Sequence, residues 1–303
     1  MCAGIKQLRT MVKIAVASGK GGTGKTFVAT NIFHTLLNNR YNATLVDCDA
    51  EAPNAGVFFK KRKLTGKTEV FQMVPVIDPG KCTYCGKCRE YCNYNAIFII
   101  PPARIINVME DLCHGCGACS LACEYGAISE KPSSLGVVTK YKLNDKAEIT
   151  EARMKIGVMS PVPVIKSALK QADKRAEVVI IDSPPGTSCP FIQTVAGADY
   201  IILVTEPTPF GLSDLVQSVE TLRIMRKSFG TIINRAGLGN NHVVDYLREE
   251  KIPLLLEIPF SKDIAKIHSR GELVTAKNPQ LAGQLKEVIE DIIGSNGTGS
   301  YKR

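Results

Sequence analysis

Two groups of residues in this 303-residue chain have the types and spacing to do chemistry. The first, Gly19-Lys20-Gly21-Gly22-Thr23-Gly24-Lys25-Thr26, fits G-x-x-x-x-G-K-S/T. Glycines let backbone N–H groups approach and encircle phosphate oxygens, and a helix opening after the loop presents its positive N-terminus to the same anion. Lys25 is then expected on the β- and γ-phosphates of ATP, with the Thr26 hydroxyl on Mg2+. The second group is cysteine: eight of the 11 fall within residues 82–123, while Cys2, Cys48 and Cys189 stand alone. A disulfide scaffold belongs to small secreted domains, whereas tight, regular spacing in a chain this long points to metal.

The elements that must hold these groups follow from the apolar pattern. Val12–Ala17 reads as a strand, Phe27–Asn38 as a helix and Thr44–Val46 as a second strand, which makes a βαβ opening around the glycine-rich loop. The alternation resumes after residue 150. Helices are expected at Pro163–Lys174, Leu212–Lys227 and Gln280–Ile293, and strands at Val178–Ile181, Tyr200–Val204, Thr231–Ile233 and Leu254–Ile258. Strands that are apolar on both faces and separated by helices predict an α/β fold with a parallel sheet covered on both sides.

Residues 73–149 break this pattern with short segments, Pro101-Pro102 and the cysteines, so they are expected to form a module inserted into a domain made of 1–72 and 150–303. The module repeats internally. CTYCGKCREYCNYNAI from Cys82 and CHGCGACSLACEYGAI from Cys113 agree at eight of sixteen positions, including all four cysteines. Lys60-Lys61-Arg62-Lys63, just before it, reads as a solvated linker.

The glycine-rich loop carries a second lysine, Lys20, and with it resembles the deviant Walker A group of P-loop ATPases that includes MinD, ParA, Mrp and the nitrogenase iron protein. The resemblance implies a homodimer closing around two ATP molecules, with Lys20 crossing to the partner's nucleotide. It places Asp49, in Leu45-Val46-Asp47-Cys48-Asp49, at the switch I position that orients the attacking water, and Asp47 nearer the metal. Val178–Ile181 followed by Asp182-Ser183-Pro184-Pro185-Gly186 looks like Walker B and switch II, with Asp182 on Mg2+ and Gly186 sensing the γ-phosphate. Asn234 resembles a base-reading position, and Pro259-Phe260-Ser261 a loop that covers adenine.

Each cysteine run has the form C-x2-C-x2-C-x3-C, the spacing of bacterial two-cluster ferredoxins, in which the fourth cysteine serves the other cluster. Carried over, Cys82, Cys85, Cys88 and Cys123 hold one 4Fe-4S cluster, and Cys113, Cys116, Cys119 and Cys92 the second. Asn93 and Glu124 replace the usual proline after the fourth cysteine. Zinc sites favour two well-separated pairs, a poorer match. Two oxidised clusters, each net −2 with its thiolates, lower the formal charge from +9 to about +5. Cys189, seven residues after Asp182, resembles the cluster cysteine of the nitrogenase iron protein, but 150–181 supply no second one, so it reads as a small residue packed under the switch. Cys48 reads as core, and His114 as an exposed loop residue.

These expectations combine into an ATPase with a small α+β ferredoxin-like insert, in which dimer closure gates electron transfer through two clusters to a redox partner. An Mrp-type iron–sulfur carrier is the first alternative, though no cysteine follows Cys189 to make the C-terminal pair common in that group. A ParA- or MinD-like positioning ATPase is the second; DNA binding rests on charge alone, and the polar, glycine-rich 294–303 argue against a membrane anchor. No apolar stretch approaches the roughly 18–20 residues that cross a bilayer, and Met1–Arg9 lack the apolar segment of a secretory signal, so a soluble cytoplasmic protein is expected.

Overall fold

A computed structural model describes residues 11–296, with side chains to 294, so Cys2 and most of the polar 294–303 tail lie outside the described residues. The chain opens with β1 (Val12–Ala17), α1 (Lys25–Asn38), β2 (Ala43–Asp47) and a long β3 (Lys63–Ile77). Short pieces follow: α2 (Lys87–Glu90), β4 (Ile97–Ile100), β5 (Ile105–Val108) and α3 (Ala118–Ala122). After β6 (Ile128–Asn144) and β7 (Ala147–Met154), helices and strands alternate through α4 (Val162–Gln171), β8 (Val178–Asp182), α5 (Cys189–Ala196), β9 (Tyr200–Thr205) and α6 (Pro209–Ile224). The chain continues with β10 (Phe229–Ala236), α7 (His242–Glu249), β11 (Leu254–Pro259), α8 (Lys262–Ser269) and α9 (Pro279–Asn296).

The sheet order is β11-β10-β9-β1-β8-β2-β7-β6-β3, and pairing from β11 to β7 is parallel. Residues alternate between faces of a strand. Ile14, Val16, Leu45, Ile180 and Ile202 therefore enter one core with Phe33 and Leu36 of α1 and Leu285 and Ile289 of α9. The intervening Ala15, Ala17, Val179, Ile181 and Leu203 are buried on the other face, where α5 packs on β1 and α6 on β9. Both faces are covered, which is why these strands read as unbroken apolar runs. The chain leaves β1 toward β2 on one side and has β9 on the other, a topological switch point at the carboxyl end of β1 where α/β sheets bind ligands. Among the described residues no helix is long and apolar enough to cross a membrane.

The chain divides into two compact units. One comprises 1–67, 138–153 and 165–303, the other 68–137 and 154–164. These limits differ from an insert at 73–149. The stretch 138–153 lies in the first unit because β7 pairs in parallel with β2, Ala43 facing Ala147 and Asp47 facing Glu151. A two-residue connection joins β6 to its neighbour β7, and such a connection can only make an antiparallel pair. At 60–63 Lys60, Lys61 and Lys63 are exposed as a solvated stretch should be, while Arg62 is half-buried, stacks on the Tyr141 ring at 4.8 Å and donates to the Gly56 carbonyl, and Lys63 starts β3.

In the second unit β4 and β5 form an antiparallel pair, Ile97 facing Val108. The two cysteine runs fold alike. In each, a left-handed glycine, Gly86 or Gly117, opens a short helix that carries the third cysteine, Cys88 or Cys119. Those two cysteines and Ile97 are buried together beside Ile77, Ile106 and Ile128.

Candidate nucleotide and cysteine sites

β1 ends at Ala17 and α1 begins at Lys25, so the glycine-rich loop occupies the switch point. Gly24 has φ +101°, and a Cβ there would lie 2.3 Å from the Asn234 amide nitrogen, so only glycine fits. That amide donates to the Thr23 carbonyl at 2.8 Å. Asn234, expected to read a base, thus also braces the loop. An open concavity of about 380 Å³ is lined by Gly21, Gly22, Gly24, Lys25, Thr26, Asp49, Asn234 and Pro259, among others. Gly19, Lys20, Thr23, Asp47, Asp182 and Gly186 are not among its lining residues.

Asp47 and Asp182 end neighbouring strands and face each other in register, both buried. Their environments differ. Asp47 accepts from the backbone N–H groups of Asn54 and Ala55, each at 2.9 Å, and of Asp49 at 3.2 Å, so it shapes the loop after β2. Among the described residues no backbone N–H donates to either carboxylate oxygen of Asp182; the Thr26 hydroxyl is the polar side chain beside them. Burial pushes the Asp182 carboxyl up to about 7, against the opposing influence of Thr26 and Lys25, and burial followed by the Asp182 charge pushes Asp47 well up. Burial lowers the Lys25 pKa, with Asp182 and Asp49 opposing. The Asp182 carboxylate and the Thr26 hydroxyl are hard oxygen donors of the kind Mg2+ takes, so these two residues fit the ion, with Lys25 a neighbouring charge and not a ligand.

Gly186, in the left-handed region at φ +90°, donates its N–H to the Ser18 carbonyl at 3.2 Å, tying the segment after β8 to the start of the loop. Lys20 pairs with Glu206 at 2.7 Å. Arg235, at φ +57°, sits where the β10–β11 register shifts, a bulge that aims its guanidinium at the Gly22 carbonyl (3.2 Å) and the other Glu206 oxygen (2.7 Å).

Two residues of this site have no motif to announce them. His268 lines the concavity, stacked on Phe58 at 4.8 Å and edge-on to Phe27 at 5.4 Å. Burial lowers its pKa. Its only sequence signal is position: Ile264 and His268 are four apart on α8, hence on one face. Glu206 follows β9 at the carboxyl edge of the sheet, the edge at which such folds place functional groups.

The eight clustered cysteines sort into two concavities. One is lined by Cys82, Cys85, Cys88 and Cys123, and the other by Cys92, Cys113, Cys116 and Cys119, each enclosing only about 20 Å³. The described cysteines form no disulfides. Backbone N–H groups donate to Sγ of Cys92 (Ala96, 3.3 Å) and Cys113 (Gly115, 3.4 Å). His114 stacks on Tyr94 at 3.8 Å over the second concavity. Among the described residues no three His, Cys, Asp or Glu side chains converge closely enough to hold a lone metal ion. The four cysteines of each set line one small concavity instead of meeting at a point, and four sulfur donors grouped this way fit a polynuclear iron–sulfur group. Cys48 is buried, but Cys189 is exposed at the first turn of α5, not packed under a switch, because the helix turns its inward face through Phe191 and Val195.

A model of the CobQ/CobB/MinD/ParA nucleotide binding domain matches residues 14–274. An uncharacterized protein of Methanocaldococcus jannaschii is similar at 31% identity, over 94% of this chain and 98% of its own. An iron–sulfur cluster carrier protein of Pyrococcus horikoshii is similar at 25% identity, over 75% of this chain and 62% of its own. The fold is similar to that of the septum site-determining protein MinD from Pyrococcus horikoshii, complexed with Mg-ADP, with a TM-score of 0.57 at 18% identity, over 95% of this chain and 99% of that one.

Proposed function

We propose, from the premise that the chain belongs to the CobQ/CobB/MinD/ParA nucleotide-binding family, that it is a Mg2+-dependent ATPase whose nucleotide state governs an iron–sulfur module in the same chain. The observation that carries this is the sorting of eight cysteines into two concavities, each taking three from one run and the fourth from the other. That crossed arrangement matches the two-cluster ferredoxin spacing, which supports reading the cysteine-bearing unit as a ferredoxin-like insert for two 4Fe-4S clusters. When bound, such clusters supply one-electron exchange or are themselves the cargo.

At the nucleotide site, the loop from Gly19 to Gly24 cradles phosphates, Thr26 and Asp182 hold Mg2+, and Asp47 fixes the loop that carries Asp49. Asp49 positions the attacking water, Lys25 neutralises the developing charge, and Gly186 follows the γ-phosphate through its tie to Ser18. Lys20 reaches the nucleotide of a second copy, so hydrolysis belongs to a homodimer.

Of the two uses of the clusters, transfer to an acceptor protein has the support of the relative described as an iron–sulfur cluster carrier. Electron relay to a redox partner is the second reading, favoured by the buried cysteine in each set, Cys88 and Cys119, while the exposed Cys85 and Cys116 mark where a partner could approach. Anaerobically loaded protein incubated with an apo-ferredoxin, with ATP, ADP or no nucleotide, separates them. Nucleotide-dependent loss of iron to the acceptor supports the carrier. Full retention of iron, with a nucleotide-dependent rate of cluster oxidation by a dye, supports the relay. Retention with indifferent rates defeats both.

A further inference from the structure

Lys20 stands within the phosphate loop, yet it is not among the residues that line the concavity with its neighbours Gly21 and Gly22. Its ammonium lies 2.7 Å from Oε1 of Glu206 and 5.9 Å from the centre of the Phe210 ring. Glu206 is held firmly. Its side chain is 12% exposed, its carbonyl accepts from Thr208 N–H at 2.8 Å, and Gly211 packs so closely that a Cβ there would lie 2.2 Å from that carbonyl oxygen. Arg235 occupies the second carboxylate oxygen at 2.7 Å while donating to the Gly22 carbonyl. One fixed carboxylate therefore serves two cations, one at the start of the loop and one anchored to its middle.

We propose that Glu206 is a positioning residue that competes with the partner subunit's nucleotide for Lys20, and that Arg235 makes the competition reversible. The proposal rests on the reading above, in which Lys20 reaches across a dimer. A lysine engaged by Glu206 is not available to a second site, so closure requires this pair to separate. Stripping the only cation from a largely buried carboxylate would strand a charge at high cost. Here Arg235 stays on Oε2, so the departure of Lys20 breaks one partly exposed pair and leaves Glu206 compensated. The nucleotide's phosphates need then offer Lys20 only a modestly better partner than Glu206, and the device resets when they are gone. Burial raises the Glu206 pKa, but the hydrogen bonds and charges of Lys20 and Arg235 outweigh it and hold the carboxyl below the usual glutamate range, so it stays ionised through neutrality.

The test uses the full chain, anaerobically prepared, with two measurements. In nucleotide-free protein, the rate at which Lys20 is labelled by an amine-reactive ester, read by mass spectrometry against the other lysines, should rise about fivefold to tenfold in Glu206→Gln. Sedimentation at fixed protein with increasing Mg2+ and a non-hydrolysable ATP analogue should show the dimerisation midpoint falling by a similar factor. Glu206→Asp, which keeps the charge and shortens the reach, should fall between wild type and Glu206→Gln, and serves if the Gln variant does not fold. Unchanged Lys20 labelling overturns the proposal. Faster labelling with an unchanged midpoint in a protein that dimerises also overturns it, while dimerisation lost in Lys20→Gln leaves the dimer reading standing. A wild-type chain that never dimerises with the analogue defeats that reading, and the competition with it.

Discussion

Asp182→Asn tests whether the strand-end carboxylate is held in the fold for a cation. The unfolded chain ionises this group near the ordinary 3.8, the folded chain only at about 7. Between those values the folded state binds the extra proton, so stability is highest below 3.8 and falls as pH rises through 7. A gap of that size is on the order of 4 kcal/mol once the pH exceeds 7. The neighbouring Asp47, also raised, contributes with the same sign. Thermal unfolding of nucleotide-free, Mg2+-free protein at pH 5, 6.5 and 8 should show the wild type losing stability with pH. Asp182→Asn should follow a flatter course and melt on the order of 5–10 °C higher at pH 8. Mg-ADP should raise the melting temperature of the wild type and leave the variant unmoved. Parallel pH profiles in the two proteins would refute the claim that burial outweighs the compensation that Thr26 and Lys25 give this carboxylate.

The cysteine assignment predicts that Cys123→Ser affects the concavity of the first run, not its own. Iron should fall from about eight to about four atoms per chain, and the additional variant Cys82→Ser should cause no further loss. Gly24→Ala should fail for two reasons, a left-handed backbone and collision with the Asn234 amide, and lower stability by about 2 kcal/mol; a denaturant midpoint measures it, and an unchanged one contradicts the geometry. His268→Ala removes one wall of the concavity and should weaken ADP binding by about threefold to tenfold by calorimetry, with inorganic phosphate binding unaltered.

The parallel sheet and the phosphate loop were legible because their signals are local. Val178–Asp182 is apolar because both sheet faces are covered, and the spacing from Gly19 to Thr26 is set by the phosphate it would encircle. β3, β6 and β7 were not legible, because polar and apolar residues mix on both of their faces and they owe their shape to pairing partners far along the chain, as Ala43 does to Ala147. The eight cysteines were legible as two sets, and the concavities group them in the same fours. Glu206 and His268 were hidden because each acts through residues brought close only by the fold: Lys20 and Arg235 in one case, Phe27 and Phe58 in the other. Asn234 shows the limit of a motif. Its position was marked, while its bond to the Thr23 carbonyl depends on a loop more than two hundred residues earlier.

The placement of β1 sets an order of events during synthesis. Its two flanking strands, β8 and β9, begin at Val178 and Tyr200. At about 5–20 residues per second a ribosome needs roughly 8–35 s after making β1 to supply the first of them. Until then the phosphate loop has no sheet to stand on, whereas every cysteine from Cys82 to Cys123 has already been made. The cysteine-rich stretch therefore emerges ahead of any competent nucleotide pocket, and its fold can form before the phosphate loop has a sheet to stand on.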